Sequence, residues 1–225
     1  PVSLCAGGSK ELTSAAFSAG TGDGIEIRDG YLTLMKQWSF GGQGPEQMAA
    51  RSHLGFAFDE TRSAALLFGG KDVNGNPLGD TWLWSAGAWT RKDPVGAPSP
   101  RYGHSLVWAG DKFLLFGGNE GNDTWTYDIA GDTWTHIRPE LSPTQRNLPA
   151  MAYDPDLHQV TLFGGGVDNG TWIYDVAAAS WSALSLVPSP PDRSGASMAY
   201  DRVTKKMVLF GGRTPGLVML DDTWV

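Results

Sequence analysis

An apolar run closed by Phe-Gly-Gly occurs four times, at Phe68-Gly69-Gly70, Phe116-Gly117-Gly118, Phe163-Gly164-Gly165 and Phe210-Gly211-Gly212, with successive Phe residues 48, 47 and 47 positions apart. A fixed period of this length means stacked copies of one supersecondary unit, each too small to bury its own apolar face. The register extends beyond the glycines. An Arg opens each copy, at Arg51, Arg101, Arg146 and Arg193, and seven residues later stands an aromatic, at Phe58, Trp108, Tyr153 and Tyr200. A polar segment of variable length then leads to Thr-Trp, at Trp82, Trp125, Trp172 and Trp224. A second Trp follows in three copies, at Trp89, Trp134 and Trp181, each 12 residues before the next Arg.

Each unit reads as four short antiparallel strands. The first carries small and apolar residues up to the aromatic, and Asp-containing turns such as Asp154-Pro155-Asp156 reverse the chain. The second, Ala65-Leu66-Leu67-Phe68 or Val208-Leu209-Phe210, lacks clean alternation and is expected to be covered on both faces. The third, Thr81-Trp82-Leu83-Trp84 or Thr124-Trp125-Thr126-Tyr127, alternates better. The fourth lies around the second Trp. Two glycines after the Phe let the chain take positive φ and admit a neighbouring backbone. Wide indole rings suit the wedge between stacked sheets, where their N–H groups find partners.

This pattern resembles the kelch repeat, a blade of a β-propeller. The matching residues are the double Gly after an aliphatic run, Asp-Thr-Trp at 80–82, 123–125 and 222–224, the later Trp, and Arg-Tyr-Gly-His at 101–104. They cover residues 51–225, with Asn169-Gly170-Thr171-Trp172 departing in the third copy. The resemblance implies an all-β propeller of four-stranded antiparallel blades, with units 51–100, 101–145, 146–192 and 193–225.

Composition agrees with an all-β domain: 225 residues, 41% apolar, with 30 Gly and 14 Pro. The formal charge of −7 argues against a nucleic-acid partner, which needs a basic surface. No stretch approaches the roughly 20 apolar residues of a membrane span, so no membrane insertion is expected. Cys5 is the sole cysteine and cannot form an internal disulfide. The first residues show no signal-peptide pattern.

Residues 1–24 read as an irregular N-terminal segment, and 25–225 as the propeller. The fourth unit breaks off in its third strand, and two arrangements fit. Trp38 stands 13 residues before Arg51, so residues 31–39 could supply the missing strand and close a ring of four blades. Alternatively Ile25-Glu26-Ile27-Arg28 and Tyr31-Leu32-Thr33-Leu34 flank Asp29-Gly30 as a hairpin of another blade, and the chain is an open arc of a larger ring.

Function is sought where the framework leaves freedom. The links between strands two and three vary most, and they emerge on the same face as the links between blades. Lys71, Asp72, Asn74, Asn119, Glu120 and Arg213 stand there. Arg51, Arg101, Arg146 and Arg193 form a ring of cations suited to a carboxylate or an acidic protein segment; the alternative is that each ties its blade to its neighbour. His104 joins His53 at a blade junction, but further metal ligands are missing and no metal or other cofactor is expected. Residues 72–76 open like a calcium loop, yet the Gly comes too early and no Glu follows, which leaves a tight turn. The sequons at Asn122 and Asn169 are by-products of the Thr-Trp motif.

These features point to a non-catalytic binding scaffold that recognises a protein, or less favourably a carbohydrate, through the loop-rich face. Galactose-oxidase chemistry needs copper, a linked cysteine and a Tyr/His cluster, and Cys5 lies outside the repeats. The alternative is a small sugar-processing enzyme of the kelch mutarotase type, with acid and base groups such as Glu120, Asp72 and His104 at the axial mouth. The Trp-rich, Lys-poor repeats resemble bacterial kelch proteins, which implies a secreted or cell-surface location.

Overall fold

The computed structural model describes residues 2–3, 23–28, 31–36, 45, 47–119, 121–166 and 170–225. They fall into two compact units, Pro1–Gly44 and Pro45–Val225. In the first, β1 (Val2–Ser3), β2 (Asp23–Arg28) and β3 (Tyr31–Lys36) form a sheet of order β1-β3-β2. β2 and β3 make an antiparallel hairpin with Arg28 opposite Tyr31, as Asp29-Gly30 suggests. Val2–Ser3 pairs along the other edge of β3. Trp38, on which the composite blade rests, and Cys5 lie outside the described residues.

The second unit holds four blades. Blade 1 is β4 (Gly55–Asp59), β5 (Ala64–Phe68), β6 (Thr81–Ser85) and β7 (Ala88–Lys92). Blade 2 is β8 (Ser105–Trp108), β9 (Phe113–Phe116), β10 (Thr124–Asp128) and β11 (Thr133–Ile137). Blade 3 is β12 (Ala150–Asp154), β13 (Gln159–Phe163), β14 (Thr171–Asp175) and β15 (Ser180–Leu184). Blade 4 is β16 (Ser197–Asp201), β17 (Lys206–Phe210) and β18 (Thr223–Trp224). Within each sheet sequential strands pair antiparallel, and the described residues contain no helix.

Register follows from the motifs. Gly55, Phe68, Thr81 and Lys92 lie opposite one another across blade 1, so the Phe before the double Gly always meets the Thr of Thr-Trp. Aspartates close the turns between first and second strands: Asp59 Oδ1 accepts from the amides of Thr61 and Arg62, and Asp154 Oδ1 from those of Asp156 and Leu157. Such side chains supply the hydrogen bonds that a turning backbone loses.

The apolar core lies between blades. Leu66, Phe68 and Leu83 of blade 1 pack on Phe113, Leu115, Tyr127 and Trp134 of blade 2. Leu114 and Phe116 of blade 2 meet Val160, Leu162, Tyr174 and Trp181 of blade 3. Blade 3 meets blade 4 through only Ala150, Phe163 and Leu209 as buried residues. Second strands are interior as their sequences suggest: β5 and β9 are buried throughout, and β13 largely so. In β17 Leu209 alone is buried, because no further blade of 45–225 packs on its outer face.

Candidate functional site

The four repeat arginines lie just before the innermost strands. In every blade the guanidinium donates to the carbonyl of the first Gly of the pair: Arg51 to Gly69, Arg101 to Gly117, Arg146 to Gly164 and Arg193 to Gly211. Three also grip their own blade's Asp with both Nη atoms: Arg51 takes Asp80 at 2.5 and 2.7 Å, Arg101 Asp123 at 2.5 and 2.9 Å, and Arg193 Asp222 at 2.5 and 2.8 Å. The carboxylates that the bidentate geometry takes thus belong to the chain itself. Each carboxylate also accepts the indole N–H two residues on, from Trp82, Trp125 and Trp224.

Burial alone would raise the Asp80 and Asp123 carboxyls, but the arginine and indole donors outweigh it and hold both below the usual range. Asp222 is lowered mainly by the hydrogen bond from Arg193. Blade 3 has Gly170 where the others have Asp, and residues 167–169 beside it lie outside the described set.

The arginine backbones join neighbouring blades. The second Gly of one blade donates to the Arg carbonyl of the next, Gly70 to Arg101, Gly118 to Arg146 and Gly165 to Arg193, at 2.8–2.9 Å. Two residues past each Arg a second chain of bonds runs from blade to blade: Gly103 donates to His53, Leu148 to Gly103 and Gly195 to Leu148. His53, Gly103, Leu148 and Gly195 all have positive φ, which turns these peptides toward their neighbours. His104 plugs the junction of blades 1 and 2 against Phe68, with ring centroids 5.6 Å apart. Burial and the Arg101 charge push its pKa down to about 3, so the ring is neutral, and neither nitrogen meets a partner of good geometry.

On this framework sits one position per blade whose side chain varies, the residue right after the Gly pair: Lys71, Asn119, Gly166 and Arg213. Its backbone is fixed by pairing with the residue after the Arg, Ser52 with Lys71 and Ser194 with Arg213. Asn119 donates its amide to Tyr102 O and accepts the Tyr102 amide on Oδ1. The Lys71 ammonium lies 5.2 Å from the Tyr102 ring centroid, and His53 meets the same ring edge-on at 6.5 Å. Tyr102 and His53 were legible from the repeat register, as the residues one and two places after the Arg.

Blades 1 and 4 extend this face with hairpin loops of the same build. Asp72 donates to Asn76 O, and Thr214 to Val218 O, while Leu78 and Leu220 return to Gly70 and Gly212. Their chemistry differs. Asp72 accepts the amides of Asn74 and Asn76 at 2.8 Å, and the Asn76 side-chain and backbone hydrogen bonds lower its carboxyl. The blade 4 hairpin instead exposes Leu217, Val218 and Met219, at 67, 61 and 76%. Glu120 lies outside the described residues.

The structure thus brings Lys71, Asn119 and Arg213 to equivalent places, puts Asp72 and Asn74 in the loop beside Lys71, and sets His104 and the arginines beneath them. Every displaced carboxyl among the described residues moves downward, the direction that keeps it ionised. No three His, Cys, Asp or Glu side chains among the described residues group as a metal site. Among the described residues no helix is long and apolar enough to cross a membrane.

Parts of this chain are similar to parts of known proteins. Human "Multiple epidermal growth factor-like domains protein 8" is 34% identical over 102 residues, 42% of this chain and 4% of that protein. "Adagio-like protein 3" of Oryza sativa subsp. japonica is 32% identical over 93 residues, 36% of this chain and 15% of that protein. An F-box/kelch-repeat protein of Arabidopsis thaliana is 32% identical over 75 residues, covering 31% of this chain and 15% of its own length. The chain therefore spans only a small part of each relative. A sequence model of the Attractin/LZTR1 beta-propeller matches residues 65–216, more than half of the chain and all four of the Gly-Gly turns. With its blades, cores and Arg-Asp-Trp clamps in view, the chain belongs to the Attractin/LZTR1 beta-propeller family.

Proposed function

We propose that this propeller is a non-catalytic binding scaffold that recognises a protein partner through the face carrying Lys71, Asn119, Arg213 and the two hairpin loops. The observation that carries the reading is the blade 4 hairpin, where three consecutive large apolar side chains are exposed at the tip of a well-bonded loop. Contiguous exposed apolar surface rimmed by polar groups is the mark of a protein contact. Leu217 holds a φ of 62° there, a strained conformation for a Leu that a fold retains when the tip has a task. Lys71 and Arg213 beside the hairpins suit acidic groups flanking an apolar anchor on the partner. A framework fixed by backbone bonds limits the ordering cost of association.

A photoreactive side chain placed at Val218 tests this, with the same group at Ala130, on the turn between β10 and β11 at the other end of the blades, as control. A discrete cross-linked partner from Val218 that is lost in Leu217→Asp and reduced in Lys71→Glu is expected. Equal cross-linking from both sites, or a partner indifferent to both substitutions, would overturn it.

A further inference from the structure

At the opposite end of the blades the first strands surround a cavity of about 490 Å³. Its walls include the aromatic that follows each Arg by seven residues, one from every blade: Phe58, Trp108, Tyr153 and Tyr200, joined by Phe56. Trp108 and Tyr153 pack in part against the cores between blades, but none of the five rings is fully buried. Phe56 and Phe58 are 54 and 50% exposed, and the other three are half-buried. The polar groups at the rim are mutually engaged. Arg202 of blade 4 donates to Glu60 of blade 1 at 2.6 Å, the Tyr200 hydroxyl donates to Asp156, Lys205 pairs with Asp156 at 2.8 Å, and the Tyr153 hydroxyl meets His158 Nδ1 at 3.0 Å.

We propose that this cavity binds an organic cation, a methylammonium group carried by a small molecule or by a methylated lysine side chain. Five π systems line one space, the composition of the cages that recognise quaternary ammonium groups through the negative faces of their rings. Trp108 already partners one cation outside the cavity lining, the Arg62 guanidinium 5.6 Å from its ring centroid. Glu60 and Asp156 are 61 and 48% exposed, so their ion pairs are weak and either carboxylate can turn to an incoming charge. The volume lies in the range of small-ligand sites.

The test compares choline with its neutral isostere 3,3-dimethyl-1-butanol and with a trimethyllysine peptide, by calorimetry and by the fluorescence of the intact protein. Choline is expected to bind at least about tenfold more tightly than the alcohol, the margin a desolvated cation–π contact gives. Phe58→Leu and Phe56→Leu keep apolar bulk and remove a π face; each is expected to weaken choline several-fold while leaving the unfolding midpoint in place. A tighter peptide assigns the cation to a side chain, and tighter choline assigns it to a small molecule. Equal binding of choline and the alcohol, or no saturation by choline or peptide at concentrations on the order of 100 mM, would overturn the proposal.

Discussion

Each residue of Asp-Thr-Trp has its own partner. The Asp accepts from the repeat Arg and from the following indole, and the Thr hydroxyl accepts the fourth-strand indole of the next blade: Trp134 donates to Thr81 at 3.1 Å and Trp181 to Thr124 at 2.9 Å. Asp123→Asn strips the countercharge from a guanidinium whose side chain is 2% exposed, and about 3–5 kcal/mol of stability is expected to go, measured by urea unfolding. Thr124→Val leaves a buried indole N–H unpaired and is expected to cost about 1–3 kcal/mol. Combined with Trp181→Phe the losses should fall short of their sum, since the second change removes the orphaned donor; strict additivity would deny the bond.

His104 gives a signature in pH. Its folded pKa, about 3, lies below the unfolded value near 6.5, so the unfolded chain binds the extra proton and stability falls as pH drops below 6.5. The aspartates, also lowered, add their loss only below about 4. Between these limits the slope should approach about 1.4 kcal/mol per pH unit and flatten in His104→Gln, as read by denaturant midpoints at a series of pH values. An unchanged slope in the variant would show that the proton goes elsewhere.

At the scale of elements, the glycine pairs do two things at once. Gly69 has a φ of 62°, and an added Cβ would lie 2.5 Å from the Arg101 carbonyl oxygen of the next blade. Gly75, at φ 85° in the blade 1 hairpin, has nothing within 4 Å of that position. Gly75→Ala is therefore expected to cost about 1 kcal/mol for the backbone alone, and Gly69→Ala several times that, in thermal or urea unfolding. Strand order and boundaries were legible because the turns carry Asp and Gly and the second strands are continuously apolar. The arginines were harder. Their spacing is plain in the chain, but their partners sit 22 to 29 residues away across a variable loop, so only the folded register shows that Arg101 and Asp123 form a clamp.

Over the whole molecule, stability is distributed by interface. The first two interfaces are locked by a fourth-strand Trp, Trp134 against Phe68 and Trp181 against Phe116 at 5.0 and 5.3 Å between rings. The third rests on three buried side chains. Blade 4, held by the smallest of these interfaces, should open locally at lower cost than blades 2 and 3. The loop-rich face proposed for recognition can be picked out in the chain, because its loops vary on a repeating frame. The aromatic cavity could not, since Phe58, Trp108, Tyr153 and Tyr200 lie 45 to 50 positions apart and read as core until their exposure is seen.

Repeat arginines and glycines weld blades 1 to 3 into one cooperative ring segment beneath the face proposed for recognition. Native-state hydrogen exchange of the Gly70 and Gly118 amides, which reach the Arg101 and Arg146 carbonyls of the next blade at 2.9 and 2.8 Å, measures it most directly. These amides are expected to exchange as slowly as those of β9 and β13. Exchange at the rate of the 71–79 loop would mean that the blades are hinged and that the account is wrong.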